Sequence, residues 1–406
     1  MTGLIGGENI MRGLLLFALL AAAAPASAQA QGQGGDEPTI VVTGQRLQDF
    51  RDALRRCLER HCPTNEDADA TLALAEALFL NGEYHEARDA VQASLRRNRG
   101  QARGFPEPVS DLYRAHARLS RHLGLDTDAR RSSYGILDAL REGIPQEDYR
   151  HFTARLELSE NLMQSGNHTG ARRALVELAR VAREAGREDV ATIAELRMLW
   201  FDNIARPEGD ARARLILMSR ETAPAQRMRA TGAKLLLARI YRHEGHADRA
   251  DALLAEIGRG NAASARRRLI DSPAYQLQVQ DPNNIGETSG QDMNIANVNT
   301  RRSDNFEDKW LDVGFWVLPN GRVSGLEVLR HMNNTDWANP LLESIRGRLY
   351  SAGPEATYRI ERYTYTAPYE RVTGSNIPQR SRRARVEYLD LSTSEAPGVA
   401  APAASN

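Results

Sequence analysis

The stretch Leu74-Ala75-Glu76-Ala77-Leu78-Phe79-Leu80-Asn81-Gly82-Glu83-Tyr84-His85-Glu86-Ala87 decides how this chain folds. A small residue, Ala75, stands seven positions before Gly82, and Ala87 follows that glycine by five. The same three columns recur as Ala117/Gly124/Ala129, Ser159/Gly166/Ala171 and Ala238/Gly245/Ala250. Such a pattern fits a helical hairpin: the glycine ends the first helix by accepting a left-handed turn, and the small residues let the paired helices approach closely. Leu74, Leu158 and Leu237 precede the first small column, while Val91, Leu175 and Leu254 follow the alanine by four residues on the same helical face. The first three glycines are 42 residues apart. The 79-residue gap before the fourth leaves room for a degenerate hairpin over Trp200 to Ser219, turning at Glu208-Gly209, which makes about five hairpins.

Outward from this stretch, residues 47–268 are rich in Ala, Leu, Arg and Glu, with few prolines and apolar spacing of helical period. The segment is expected to be entirely helical. Its repeats resemble the tetratricopeptide repeat (TPR) family, most plainly in Leu74-Ala75 to Gly82-Glu83-Tyr84-His85-Glu86-Ala87 and in Leu237-Ala238, Tyr241, Gly245 and Ala250. That resemblance implies an α-solenoid of helical hairpins whose concave groove binds peptides or partner proteins. The spacing is longer than the family's usual repeat, which implies longer helices or loops. Leu78, Tyr84, Arg114 and Tyr241 lie on or near the helices expected to line the groove and are the candidate contacts there.

The character changes near Arg268. Residues 269–304, rich in Asn, Gln, Ser, Asp and Gly, read as a linker, with Tyr275 to Val279 as a short strand inside it. Residues 305–371 then run strand, strand, helix, strand. Trp310 to Leu318 alternates like a half-buried strand, Pro319-Asn320-Gly321-Arg322 is a hairpin turn, and Val323 to Arg330 alternates again. Ala338 to Tyr350 has helical spacing, with Leu341, Leu342, Ile345 and Leu349 on one face, and Tyr358 to Tyr365 is the third strand. This β-β-α-β order, with Leu326-Glu327-Val328-Leu329-Arg330 after the turn and Trp337 before the helix, resembles the C-terminal domain of TonB, the periplasmic energy transducer. Two departures stand against energy transduction itself: the chain carries a cleavable leader and a helical repeat where a transducer has an anchor helix and a proline-rich spacer, and Ser351, not proline, follows Tyr350. The resemblance therefore implies the fold and a sheet edge able to bind, for which Arg359, Glu361 and Tyr363 on the final strand are the candidate contacts. Trp310 and Trp316 share one face of a regular strand; with Trp337 they either fill the small core or present a binding aromatic.

The N-terminal 28 residues form a three-part secretory signal: Arg12, the apolar run Leu14 to Ala24, then Pro25-Ala26-Ser27-Ala28 before Gln29. The run has 11 residues, short of the roughly 18 to 20 a membrane-spanning helix needs. A periplasmic product beginning at Gln29 is expected, with translation starting at Met1 or Met11. Residues 29–46 are a Gly/Gln-rich stretch ending in Glu37-Pro38-Thr39-Ile40-Val41-Val42-Thr43-Gly44, which resembles the TonB box of outer-membrane receptors and implies strand addition through Ile40, Val41 and Val42; its alternative is an ordinary β-prone tail. In an oxidising compartment Cys57 and Cys62 are read as a disulfide, since four intervening residues fit neither a zinc pair nor a thioredoxin-like centre.

Composition bounds the rest. The 53 basic and 53 acidic residues cancel, so no global field draws the protein to nucleic acid or an anionic membrane. No His-Glu-x-x-His pair, phosphate-cradling glycine loop or Gly-x-Ser-x-Gly elbow occurs, and neither catalysis, a metal nor a cofactor is expected. Glu66-Asp67-Asp69 sits where a helix should begin, as a solvated N-terminus. Residues 372–406, with Arg380, Arg382, Arg383 and Arg385 and an Ala/Pro-rich end, read as a solvated tail, acidic envelope polymers being the other partner considered for that basic run. The sequence thus points to a periplasmic interaction scaffold whose partners are periplasmic or outer-membrane proteins or peptides. The alternative is a regulatory accessory subunit of an envelope or polysaccharide-export enzyme.

Overall fold

The computed structural model describes residues 44–258, 267, 269–275, 277, 309–371, 378–381 and 384–392. The expected leader, Ile40, Val41 and Val42, and Arg382 and Arg383 lie outside the described residues. The chain is largely helical, with a small antiparallel sheet region at its C-terminal end. Helices α1 (Gly44–Glu59), α2 (Thr64–Leu80), α3 (Tyr84–Asn98), α4 (Pro106–His122), α5 (Asp126–Gly143) and α6 (Tyr149–Gln164) are followed by α7 (His168–Glu184), α8 (Glu188–Ala205), α9 (Ala211–Ser219), α10 (Arg227–His243) and α11 (Ala247–Gly258). Each packs on the next, and α2 also touches α4, as α8 does α10. The first helix begins three residues before Leu47, inside the segment read as an N-terminal extension.

The glycine columns do what their spacing requires. Gly82, Gly124, Gly166 and Gly245 all adopt positive φ, between 71° and 86°, in the turns after α2, α4, α6 and α10. The alanines five residues on (Ala87, Ala129, Ala171 and Ala250) are fully buried. Gly186, φ 68°, repeats the pattern between α7 and α8 with Ala179 and Ala191, only 20 residues after Gly166. The connection at 206–210 separates α8 from α9. Cys57 and Cys62 are disulfide-bonded across a Cα–Cα distance of 5.1 Å, fastening the end of α1 to the turn that follows.

The second unit starts earlier and ends later than 305–371. Arg267 is already buried in it, donating to the carbonyls of Pro319, Ser351 and Glu355. Strand β1 (Leu269–Asp271), within the expected linker, pairs with β4 (Leu349–Tyr350). The described residues of the expected 275–279 strand, Tyr275 and Leu277, are not in a strand. The main sheet is built from β2 (Trp310–Val317), β3 (Val323–Met332), β5 (Thr357–Thr366) and β8 (Arg385–Asp390), in the order β3-β2-β5-β8, all antiparallel. A small ribbon, β6 (Tyr369–Arg371) with β7 (Pro378–Arg380), sits between β5 and β8 in sequence. The helix α12 (Asn339–Arg346) is shorter than the 338–350 segment because its last residues turn into β4.

One face of β2 carries Leu311, Val313, Phe315 and Val317, all 0% exposed, against Trp337, Leu341 and Ile345 from the α12 segment. Burying both faces of β2 requires a second layer on the opposite side. The helices provide it.

Candidate functional site

The other face of the sheet presents Trp310, Asp312, Gly314 and Trp316 from β2, with Thr364 and Arg362 from β5. Half of this face lies on the turns after α2 and α4. The Trp310 ring covers Gly82 so closely that a Cβ there would sit 2.4 Å from its Nε1. Arg362, fully buried, donates to Asp312 through Nε at 2.6 Å and Nη2 at 2.9 Å, and the same guanidinium reaches the carbonyls of Phe79 and Leu80 at the end of α2. Its carbon lies 3.9 Å from the Trp310 ring centroid, a cation–π contact. The Leu80 carbonyl at the helix C-terminus is thus capped by a cation from another unit, which adds to the Gly82 N–H at the Phe79 carbonyl and suits the negative end of the helix dipole.

The second turn is held the same way. Arg380 donates to Leu123 O at 2.7 Å, the Tyr369 N–H to Gly124 O at 3.2 Å, and the Ala367 carbonyl lies 2.0 Å from where a Gly124 Cβ would be. Arg385 clasps Asp126 at the start of α5, and Arg121 reaches Glu387 of β8 at 2.6 Å. Between the two turns, the Thr364 hydroxyl meets Tyr84 Oη at 3.0 Å and His122 Nδ1 at 2.9 Å. Arg380 and Arg385, read as part of a solvated tail, are therefore latches, and β8 is the fourth strand of the sheet.

These contacts change the reading of the candidate residues. Glu361 and Tyr363 are 1% and 2% exposed, and Arg359 is bonded to Asp390, because β5 has β2 on one side and β8 on the other. The final strand of a β-β-α-β unit becomes an inner strand once β8 adds to it; hence these three residues do not form a sheet edge. Glu361 instead accepts from Arg348 at 2.7 Å, from Tyr388 at 3.2 Å and from Tyr363 in the core. Leu78 is fully buried between helices and Tyr84 is buried under the sheet, so neither faces a groove in the docked chain. Arg114 bridges α4 to Glu157 of α6 at 2.9 Å, and Tyr241 is half-buried beneath Arg212 and Arg249.

The sheet has two edges, β3 and β8, and β3 is the longer and more apolar. Among the described residues it pairs only with β2, is interrupted by two register shifts, and exposes Val328, Leu329 and Met332 at 38–39%. Beside it, on the half of the sheet face that the helices leave uncovered, half-buried Trp316 packs on Tyr358 at 5.1 Å, and the Tyr358 hydroxyl donates to Glu327 at 2.8 Å. The two tryptophans that share a face have separate fates: Trp310 is a wedge between the units, Trp316 an accessible aromatic. In the helical region a shallow cleft of about 200 Å³ between α7, α8 and α9 is lined by residues including Val176, Met198 and Arg183. Among the described residues no group of three His, Cys, Asp or Glu is placed to hold a metal ion. No helix among them is long and apolar enough to cross a membrane.

Sequence reasoning missed Arg362, Asp312 and Glu387. The available signal was the placement of charged residues on strands otherwise patterned for burial, such as Asp312 between Leu311 and Val313. No family model matches the chain, and no curated protein matches it. Among solved structures, BtubC (BKLC) from P. vanneervenii is similar over 54% of this chain and 91% of its own, at 16% identity and a TM-score of 0.39.

Proposed function

We propose that the protein is an exported, periplasmic interaction scaffold in which a TPR-like helical stack and a TonB-like sheet unit engage different partners, with outer-membrane transport of the TonB-dependent kind as its setting. The observation that carries this reading is the open β3 edge: ten residues long, with exposed Val328, Leu329 and Met332, beside the uncovered Trp316 and Tyr358. A sheet edge offers main-chain hydrogen bonds to an incoming strand, and flanking apolar side chains select its register. The register shifts confine regular pairing to short stretches such as Arg330–Met332, which favours a short partner strand. The helical repeats with left-handed glycine turns support the solenoid half of the reading. Joining two modest sites in one chain raises the effective concentration of one partner at the other.

A photo-crosslinking residue at Leu329, with one at the buried Leu341 as control, tests this in intact cells. Capture of outer-membrane receptors or of their energising complex at 329 alone is the expected result. Capture of a polysaccharide-export or cell-wall enzyme would replace it with the accessory-subunit reading, and equal labelling at both positions would remove β3 as the contact. The mass of the native protein should begin at Gln29 if the leader is cleaved.

A further inference from the structure

We propose that the docking of the sheet on the first two hairpins is a proton-sensitive latch, held shut by a neutral His122 beside an ionised Glu387 and opened by acid. The inference is independent of any partner. His122 closes α4 at the seam between the units: its ring meets the edge of Phe79 at 4.9 Å and tilts against Tyr84 at 5.7 Å, and its Nδ1 reaches Thr364 of β5. The charged groups facing it are Arg118 and Arg121 from α4, Arg362 from β5 and Glu387 from β8. From α3 comes the Tyr84 side chain, and from α2 the Phe79 ring.

With Nδ1 accepting, donation runs one way from Tyr84 through the Thr364 hydroxyl to His122, and the site has no demand for a second imidazole proton. Burial, then the three guanidinium groups, lower the His122 pKa from 6.5 to about 3, with Glu387 opposing. Burial alone raises the Glu387 pKa, but Arg121 and Arg385 bring it down to about 2. Both groups therefore bind protons less readily with the sheet docked than with it released. The contribution of His122 to docking is fully present above pH 6.5 and is lost as pH falls from there toward 3; for Glu387 the same loss begins near 4.5. One proton taken up on opening multiplies the open-to-closed ratio about tenfold per pH unit in the His122 window.

Acid also acts on His116, buried between α4 and α5 with its pKa lowered to about 4, so the test must separate the seam from that hairpin. Hydrogen exchange of the full chain, corrected for intrinsic rates, does so between pH 7.5 and 4.5. Amides at Gly82, Gly124 and Thr364 should lose protection about tenfold per unit below pH 6.5, ahead of amides within α7. His122→Asn, whose amide can still bond Thr364 but takes no proton, should flatten the loss at the seam. An unchanged pH dependence in that variant, or no loss in the natural sequence, overturns the latch. Should His122→Asn fail to fold, the imidazole resonance of His122 in the unaltered chain decides: titration well below 6.5 in step with opening supports the latch, and titration near 6.5 with the seam still protected sinks it.

Discussion

Five glycines in this molecule perform one backbone task, yet they fall into two groups. Gly82 and Gly124 lie under the sheet, where an added Cβ would sit 2.0–2.4 Å from Trp310 or the Ala367 carbonyl. Gly166, Gly186 and Gly245 have the same positive φ and nothing within 4 Å. Local chemistry fixes the conformation at all five; tertiary docking decides at which of them a side chain is also forbidden. The sheet unit has turned two of several equivalent hairpin ends into an interface by supplying arginines to cap the helix before the turn.

The largest test of that division is Arg362→Met. It strips the Leu80 carbonyl of its donor, leaves the Phe79 carbonyl with the Gly82 N–H and leaves Asp312 with Arg330, so chemical denaturation should show a loss of about 3–5 kcal/mol. Gly124→Ala adds a strained left-handed alanine to a clash with a main-chain carbonyl that has little room to move, and a loss of about 3 kcal/mol or more is expected. At Gly82 the obstruction is a side chain, so Gly82→Ala should cost less in a Trp310→Ala background than in the natural one; additive losses would break the interpretation. The open turns set the baseline: Gly166→Ala and Gly245→Ala should each lose only about 1 kcal/mol, the intrinsic left-handed penalty. Smallest is Arg141→Ala, whose exposed pairing with Asp138 on α5 is worth at most about 0.5 kcal/mol, against the several lost at Arg362.

The helical half was legible because its signal is periodic and local: a glycine, a small residue seven before and an alanine five after mark a hairpin wherever they occur. Gly186 was passed over for a physical reason as well. It joins α7 to α8 only 20 residues beyond Gly166, so it falls outside the 42-residue spacing and marks the neighbouring helix pair. In the sheet half, alternation gave β2, β3 and β5 and the turn at Gly321, with φ 84°. What alternation cannot report is strand order. β8 looked like the end of a basic tail because Arg385, Glu387 and Asp390 are polar, and their partners lie on α4, α5 and β5. Without β8, β5 reads as an edge; with it, Glu361 and Tyr363 become interior and the edges of the sheet are β3 and β8. Tyr84 was misplaced for the same cause: its site is completed by Thr364, and no window of local sequence contains both.

That bond between Tyr84 and Thr364 joins residues 280 apart, and it governs the order in which the molecule can be assembled. The helices pack chiefly on their sequence neighbours and can form as soon as each hairpin is free to fold. The sheet cannot follow suit: β5 gains its outer neighbour only when β8 has been made, and closing a chain segment of that length costs about 5 kcal/mol in loop entropy. The first two hairpins, finished earliest, thus wait for the last strand, with Phe79 and Tyr84 uncovered until it arrives. The seam thus joins the earliest of the described hairpins to the last of the described strands.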